Sequence, residues 1–156
     1  MPESNTKPTV SVVIPAWNAA SFIEKTLDTV RAQTYRDYEI VVVDDGSTDG
    51  TAEVVERWLA EHGAPGRCVR QENKKIAGAR NTGMRAARGR YVALLDHDDL
   101  WRPEKLETVM AEFERHPEAD LVCHNEDILL DGKLLRTSRN GPACEGMYER
   151  LLMAGN

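Results

Sequence analysis

Among 156 residues there are only three cysteines and two phenylalanines, and no apolar run approaches membrane-spanning length. Cys68, Cys123 and Cys144 are widely spaced, form no Cys-x-x-Cys and leave an odd count, so reduced thiols and a cytosolic setting are expected. Positive charge is also short: 20 Lys and Arg against 26 Asp and Glu give a net charge of −6, which argues against a general nucleic-acid binder. Residues 1–8 are polar, with Pro2 and Pro8, and read as a loose leader, neither signal peptide nor anchor. Membrane contact is expected to be peripheral at most, at an inner face. There is no Gly-x-x-x-x-Gly-Lys-Ser/Thr and no Gly-x-Gly-x-x-Gly, so P-loop and dinucleotide sites lack their motif. His62, His97, His116 and His124 lie outside any nucleophile elbow, which leaves Ser-His-Asp chemistry without support.

What is present is an ordinary globular composition, 41% apolar and 29% charged, enough for one domain over 9–156. Residues 9–14 are almost all β-branched and stop at Pro15, which predicts a first strand. Ser21-x-x-Glu24 has the spacing of a capping box, opening a helix with Phe22, Ile23, Leu27 and Val30 on its apolar face to about Thr34. Strands are expected at 38–43, 67–70, 91–95 and 120–123, and helices at 51–62, 75–88 and from Pro103 to His116. Asp131-Gly132 between two leucine-rich segments predicts a hairpin, and Glu145 to Met153 a last amphipathic piece. Continuously apolar strands alternating with helices imply an α/β fold, a mainly parallel sheet covered on both faces.

In such sheets ligands bind beyond the carboxyl ends of the strands, where the winding direction reverses. Those ends carry Pro15-Ala16-Trp17-Asn18, then Asp44-Asp45, then Asp96-His97-Asp98-Asp99, so acids about fifty residues apart are expected to meet. Three carboxylates within four residues repel one another unless a cation sits among them, and oxygen donors without nearby thiols suit Mg²⁺ or Mn²⁺. Such an ion would join carboxylate to diphosphate oxygens, with Arg80, and less surely Lys74 or Lys75, completing the site. From Arg67 to Arg90 there are eight Lys or Arg against Glu72 alone, a basic wall facing the acids. Trp17 offers a flat face for a base or sugar, and Asp44 or Asp45 an acceptor for a base N–H or ribose hydroxyl. Asp45 to Glu56 also fits the spacing of a calcium-binding EF-hand loop, but a strand-like run precedes it where a helix is required.

Four stretches, Val10 to Asn18, Glu39 to Thr51, Ala79 to Gly83 and Leu94 to Pro103, make the chain resemble the family-2 glycosyltransferases of GT-A fold. The resemblance covers about residues 9 to 136. It implies a nucleotide-sugar donor, often UDP-linked, a divalent ion, Mn²⁺ or Mg²⁺, and transfer with inversion to a glycan or lipid-linked acceptor. Carried over by motif, Pro15, Ala16, Trp17, Asp44, Asp45, Arg80 and Asp96 would bind the donor. Asp96, Asp98 and Asp99 would serve the metal, Asp98 and Asp99 being nearest to it and the diphosphate. Trp17 departs from the family's usual Tyr, which keeps the stacking face and removes a hydroxyl. No catalytic base stands out among Glu126, Asp127 and Glu145; it is expected beyond Asn156, which makes this chain the donor-binding portion. A non-catalytic nucleotide-sugar binding module is the alternative, and a nucleotidyltransferase lacks its triphosphate loop.

Overall fold

The computed structural model describes residues 7–130 and 132–139. In chain order it contains β1 (Val10–Ala16), α1 (Ile23–Arg31), β2 (Tyr38–Asp44), α2 (Thr51–His62), β3 (Gly66–Arg70), α3 (Lys75–Ala86), β4 (Tyr91–Leu94), α4 (Lys105–Arg115), β5 (Glu126–Leu130) and β6 (Lys133–Ser138). Two compact units divide between Thr108 and Val109. The first holds a parallel four-stranded sheet in the order β3-β2-β1-β4. Every residue of β1 and β2 is buried, as strands covered on both faces require. From β1 through β2 to β3 the chain winds one way; it then crosses back to β4, and right-handed crossovers put α3 on the face opposite α1 and α2. The winding therefore reverses between β1 and β4.

α3 lies against β1 and β2 through Gly83, where a Cβ would stand 2.3 Å from Val13 Cγ1 and 3.2 Å from Val43 Cγ2. At the amino end of the sheet the buried Glu39 accepts hydrogen bonds from Ser11 Oγ, Arg67 Nη1 and both the backbone N–H and Nε of Arg88. Burial alone would push this carboxyl up, but those bonds bring it down to about 2.

Three local expectations are corrected. Ser21 does not cap α1: no side-chain cap bond forms, and the helix begins at Ile23 behind a turn in which Phe22 and Ile23 donate to the Ala19 carbonyl. The preceding N–H groups of Asn18, Ala19 and Ala20 are held instead by Ser47 and Asp49 from the loop after β2 and by Thr51 at the start of α2. The helix also ends at Arg31 rather than near Thr34. Gln33 turns inward, fully buried, donates to the carbonyls of Thr29 and Arg102, and accepts from the Leu106 N–H, which anchors the start of α4. Residues 120–123 form no strand: among the described residues they have no ladder partner.

In the second unit β5 and β6 pair antiparallel with Leu130 opposite Lys133, and Gly132 supplies the positive φ of the expected turn at +74°. The piece from Glu145 to Met153 lies outside the described residues. No helix among the described residues is long and apolar enough to cross a membrane.

Candidate functional site

β1 bonds to its two neighbours alternately. Val10, Val12, Ile14 and Ala16 face β2, whereas Ser11, Val13 and Pro15 face β4, as Val10 N–H donating to Asp37 and Leu95 N–H donating to Val13 show. Pro15 therefore interrupts only the β4 side, where it has no N–H to give, and that ladder stops at Val13–Leu94. Its carbonyl, left without the next backbone donor, accepts from His97 Nδ1 at 3.0 Å. The His97 ring stacks on Phe22 with centroids 5.6 Å apart, and Thr26 Oγ1 donates to the carbonyls of His97 and Asp99 at 2.8 and 3.0 Å.

At the end of β2 the two adjacent acids part company, as neighbours on an extended chain do. Asp44 accepts from the Ser47 N–H at 3.2 Å within its own turn. Asp45 accepts from Gln71 Nε2 at 2.6 Å and the Lys74 N–H at 2.8 Å, and Gln71 in turn accepts from Thr82 Oγ1. Gly46, at φ +78°, lets the turn run against the Asn73 backbone, 3.0 Å from where a Cβ would sit. Asp49, on the same loop, is pushed up by burial but ends below the usual carboxylate range through bonds from Thr51 and the Ala20 N–H.

Between these ends opens a pocket of about 260 Å³. Pro15, Ala16 and Trp17 line it at the end of β1; Asn73 precedes α3, and Lys75, Ile76 and Ala79 lie on its first turns; Asp45 and His97 bring polar groups from just past β2 and β4. Trp17 is 53% exposed and so presents its ring rather than filling the core. Beside Ala79, Arg80 donates from Nη2 to both oxygens of Asp96, at 2.7 and 3.0 Å. Its Nε is buried with no partner among the described residues. A buried donor left unmatched in this way costs free energy.

Of the residues expected to bind a ligand, Pro15, Ala16, Trp17 and Asp45 thus share one pocket; Asp44, Arg80 and Asp96 lie outside its lining, the last two paired with one another and adjacent in the chain to the lining residues Ala79 and His97. The acids are held by separate donors rather than gathered: among the described residues no three His, Cys, Asp or Glu side chains form a metal cage. Asp98 and Asp99 are exposed beyond β4. They fit an ion of the Mg²⁺ type, which is commonly held by one or two carboxylates together with substrate phosphates. Glu126 and Asp127 sit on β5, where Asp127 accepts from Thr137 Oγ1 at 2.8 Å; Glu145 lies outside the described residues. Asn73, Ile76 and Ala79 join the lining although no sequence motif marked them as ligand-binding; Asn73 is brought there where the chain before α3 runs against Gly46.

A sequence-family model described as glycosyl transferase family 2 matches residues 11–152. The chain is 35% identical over 150 residues to an uncharacterized glycosyltransferase of Nostoc, covering 94% of this chain and 46% of that protein. Among solved structures it is similar to a mannosyltransferase from Pyrobaculum calidifontis in complex with GDP-Man and Mn²⁺, with TM-score 0.65 and 35% identity over 75% of this chain and 35% of that one. It is likewise similar to Staphylococcus aureus TarS 1-349 in complex with UDP, with TM-score 0.62 and 29% identity over 72% of this chain and 33% of the other. The chain thus spans less than half the length of each.

Proposed function

This chain belongs to glycosyl transferase family 2, and on that premise we propose that it binds the donor in transferring a sugar from a nucleoside diphosphate, UDP, to a hydroxyl of a glycan or lipid-linked acceptor. The observation that carries this is Arg80, fixed by Asp96 beside the pocket with its buried Nε unmatched. In this reading Trp17 stacks on the base, Asp45 accepts from a base N–H, and Arg80 neutralises the diphosphate. A divalent ion, Mn²⁺ or Mg²⁺, held by Asp98 and Asp99 with Asp96 nearby, would stabilise charge on the departing diphosphate. The acceptor oxygen bonds to the anomeric carbon from the face opposite the leaving group, so configuration inverts. The carbon–oxygen bond to the diphosphate breaks with its electron pair leaving on the nucleotide, and the acceptor proton passes to a base supplied outside the residues described. The solved relatives with bound UDP and GDP-Man support a nucleotide donor.

Calorimetric titration of UDP and GDP into the chain, with and without Mn²⁺, tests the reading. UDP binding that Mn²⁺ strengthens and that weakens about tenfold or more in Arg80→Ala and Asp98→Ala is expected, from the loss of one charge-assisted contact. No nucleotide binding by the folded chain under either condition would overturn it. UDP binding with neither hydrolysis nor transfer of a UDP-sugar by the whole protein would favour a binding module instead.

A further inference from the structure

His97 occupies a position that the donor reading leaves without a role. Its Nδ1 faces the Pro15 carbonyl at 3.0 Å, and a carbonyl only accepts, so the neutral ring carries its proton on Nδ1. Nε2 is therefore an acceptor. It has no partner among the described residues, and the residue lines the pocket. The ring is held by the Pro15 carbonyl and by stacking on Phe22, and Thr26 fixes the backbone that carries it by donating to the His97 carbonyl. The tautomer and the direction of the acceptor are thereby fixed before any ligand arrives.

The pocket's other polar side chain from a strand end, Asp45, also accepts. It stands at the end of β2, whereas His97 follows β4, with β1 between them. The two acceptors therefore approach a bound ligand from strands on opposite sides of β1. His97 directly follows Asp96, the partner of Arg80, so on the nucleotide-sugar reading the part it meets lies toward the diphosphate, where the donors available are hydroxyls.

Resting on the nucleotide-sugar reading, we propose that His97 Nε2 accepts a hydrogen bond from a hydroxyl of the donor's pentose or sugar and so sets donor specificity. Two variants separate this from a structural role. His97→Asn keeps an amide able to reach the Pro15 carbonyl and removes the atom at Nε2; His97→Gln places a polar atom near Nε2 and gives up the Pro15 bond.

The test is titration of UDP, 2′-deoxy-UDP, 3′-deoxy-UDP and UDP-glucose into wild type and both variants, at one pH above the imidazole range. Wild type is expected to favour UDP over one of the deoxy analogues by about five- to tenfold, the size of a single neutral hydrogen bond. That ratio is expected to fall to near one in His97→Asn and to survive in part in His97→Gln. Collapse of the UDP-glucose to UDP ratio instead would assign the contact to the sugar hydroxyl. Equal weakening of all ligands, with every ratio unchanged, would overturn the proposal and leave His97 a packing residue. Absence of nucleotide binding in wild type would overturn the donor reading itself, a result distinct from unchanged ratios.

Discussion

Arg80 and Asp96 face one another across sixteen positions of chain, with Nη2 of the arginine 2.7 and 3.0 Å from the two carboxylate oxygens. The pair is half open to solvent, so its worth to folding is small. Its value is positional, since it holds a guanidinium whose Nε is still unmatched.

Asp96→Asn is expected to weaken UDP binding by about three- to tenfold while leaving uridine binding unchanged, because the loss falls on the diphosphate contact. Titration of both ligands, with Mn²⁺ and again with chelator, checks it. If Asp96 acts by holding Arg80, the loss persists in chelator; a loss confined to Mn²⁺ would make Asp96 a metal ligand instead.

Gly83→Ala places a methyl 2.3 Å from Val13 Cγ1, at the contact between α3 and the sheet. Overpacking of this kind costs about 1–3 kcal/mol. Urea unfolding should show the midpoint falling with little change in slope, whereas Gly63→Ala, with open space around it but φ +55°, should cost only its backbone strain.

The Glu39 network predicts a pH dependence. Its folded value of about 2 lies below the ordinary 4.5, so the carboxylate stabilises the fold fully above pH 4.5, and that stability is lost as pH falls toward 2. The gap corresponds to about 3 kcal/mol. Unfolding free energy of the wild type should therefore fall between about pH 5 and 3 more steeply than that of Glu39→Gln. The variant starts from a lower plateau, because Arg67 and Arg88 lose their partner. Parallel acid limbs in the two proteins would refute the assignment.

Thiol reactivity should divide the cysteines. Burial pushes the Cys68 thiol up to about 12, reinforced by Asp44 and Glu56, whereas Cys123 is exposed. Brief alkylation of the native chain near neutral pH, read by peptide mass spectrometry, should modify Cys123 and spare Cys68. Modification of Cys68 at the same rate would contradict the structure.

The family resemblance and the parallel α/β architecture were both legible in the sequence, and the reasons are local. The β-branched runs at 10–14 and 40–43 have few alternatives to a buried strand, and α2 begins at Thr51 and ends before Gly63 because a left-handed residue is needed there. The position of Pro15, which stops one ladder and spares the other, is likewise written in the chain, though which side it stops depends on strand order.

Partner choice was decided by tertiary structure. Ser21 had the spacing of a cap, yet Ser47, Thr51 and Asp49, some thirty residues away, took the N–H groups before it. Asp44 and Asp45 are equivalent as letters; only the approach of Gln71 and Lys74 draws Asp45 into the pocket lining while Asp44 stays with its turn. Arg80 on α3 and Asp96 after β4 meet because the crossover returns the chain to the far side of β1. Sequence by itself determined which segments form strands and helices and what chemistry stands at their ends, since steric preference and hydrophobic period act between neighbours. Which donor reaches which acceptor was settled by the fold, because hydrogen-bonding groups compete across distances that no local pattern encodes.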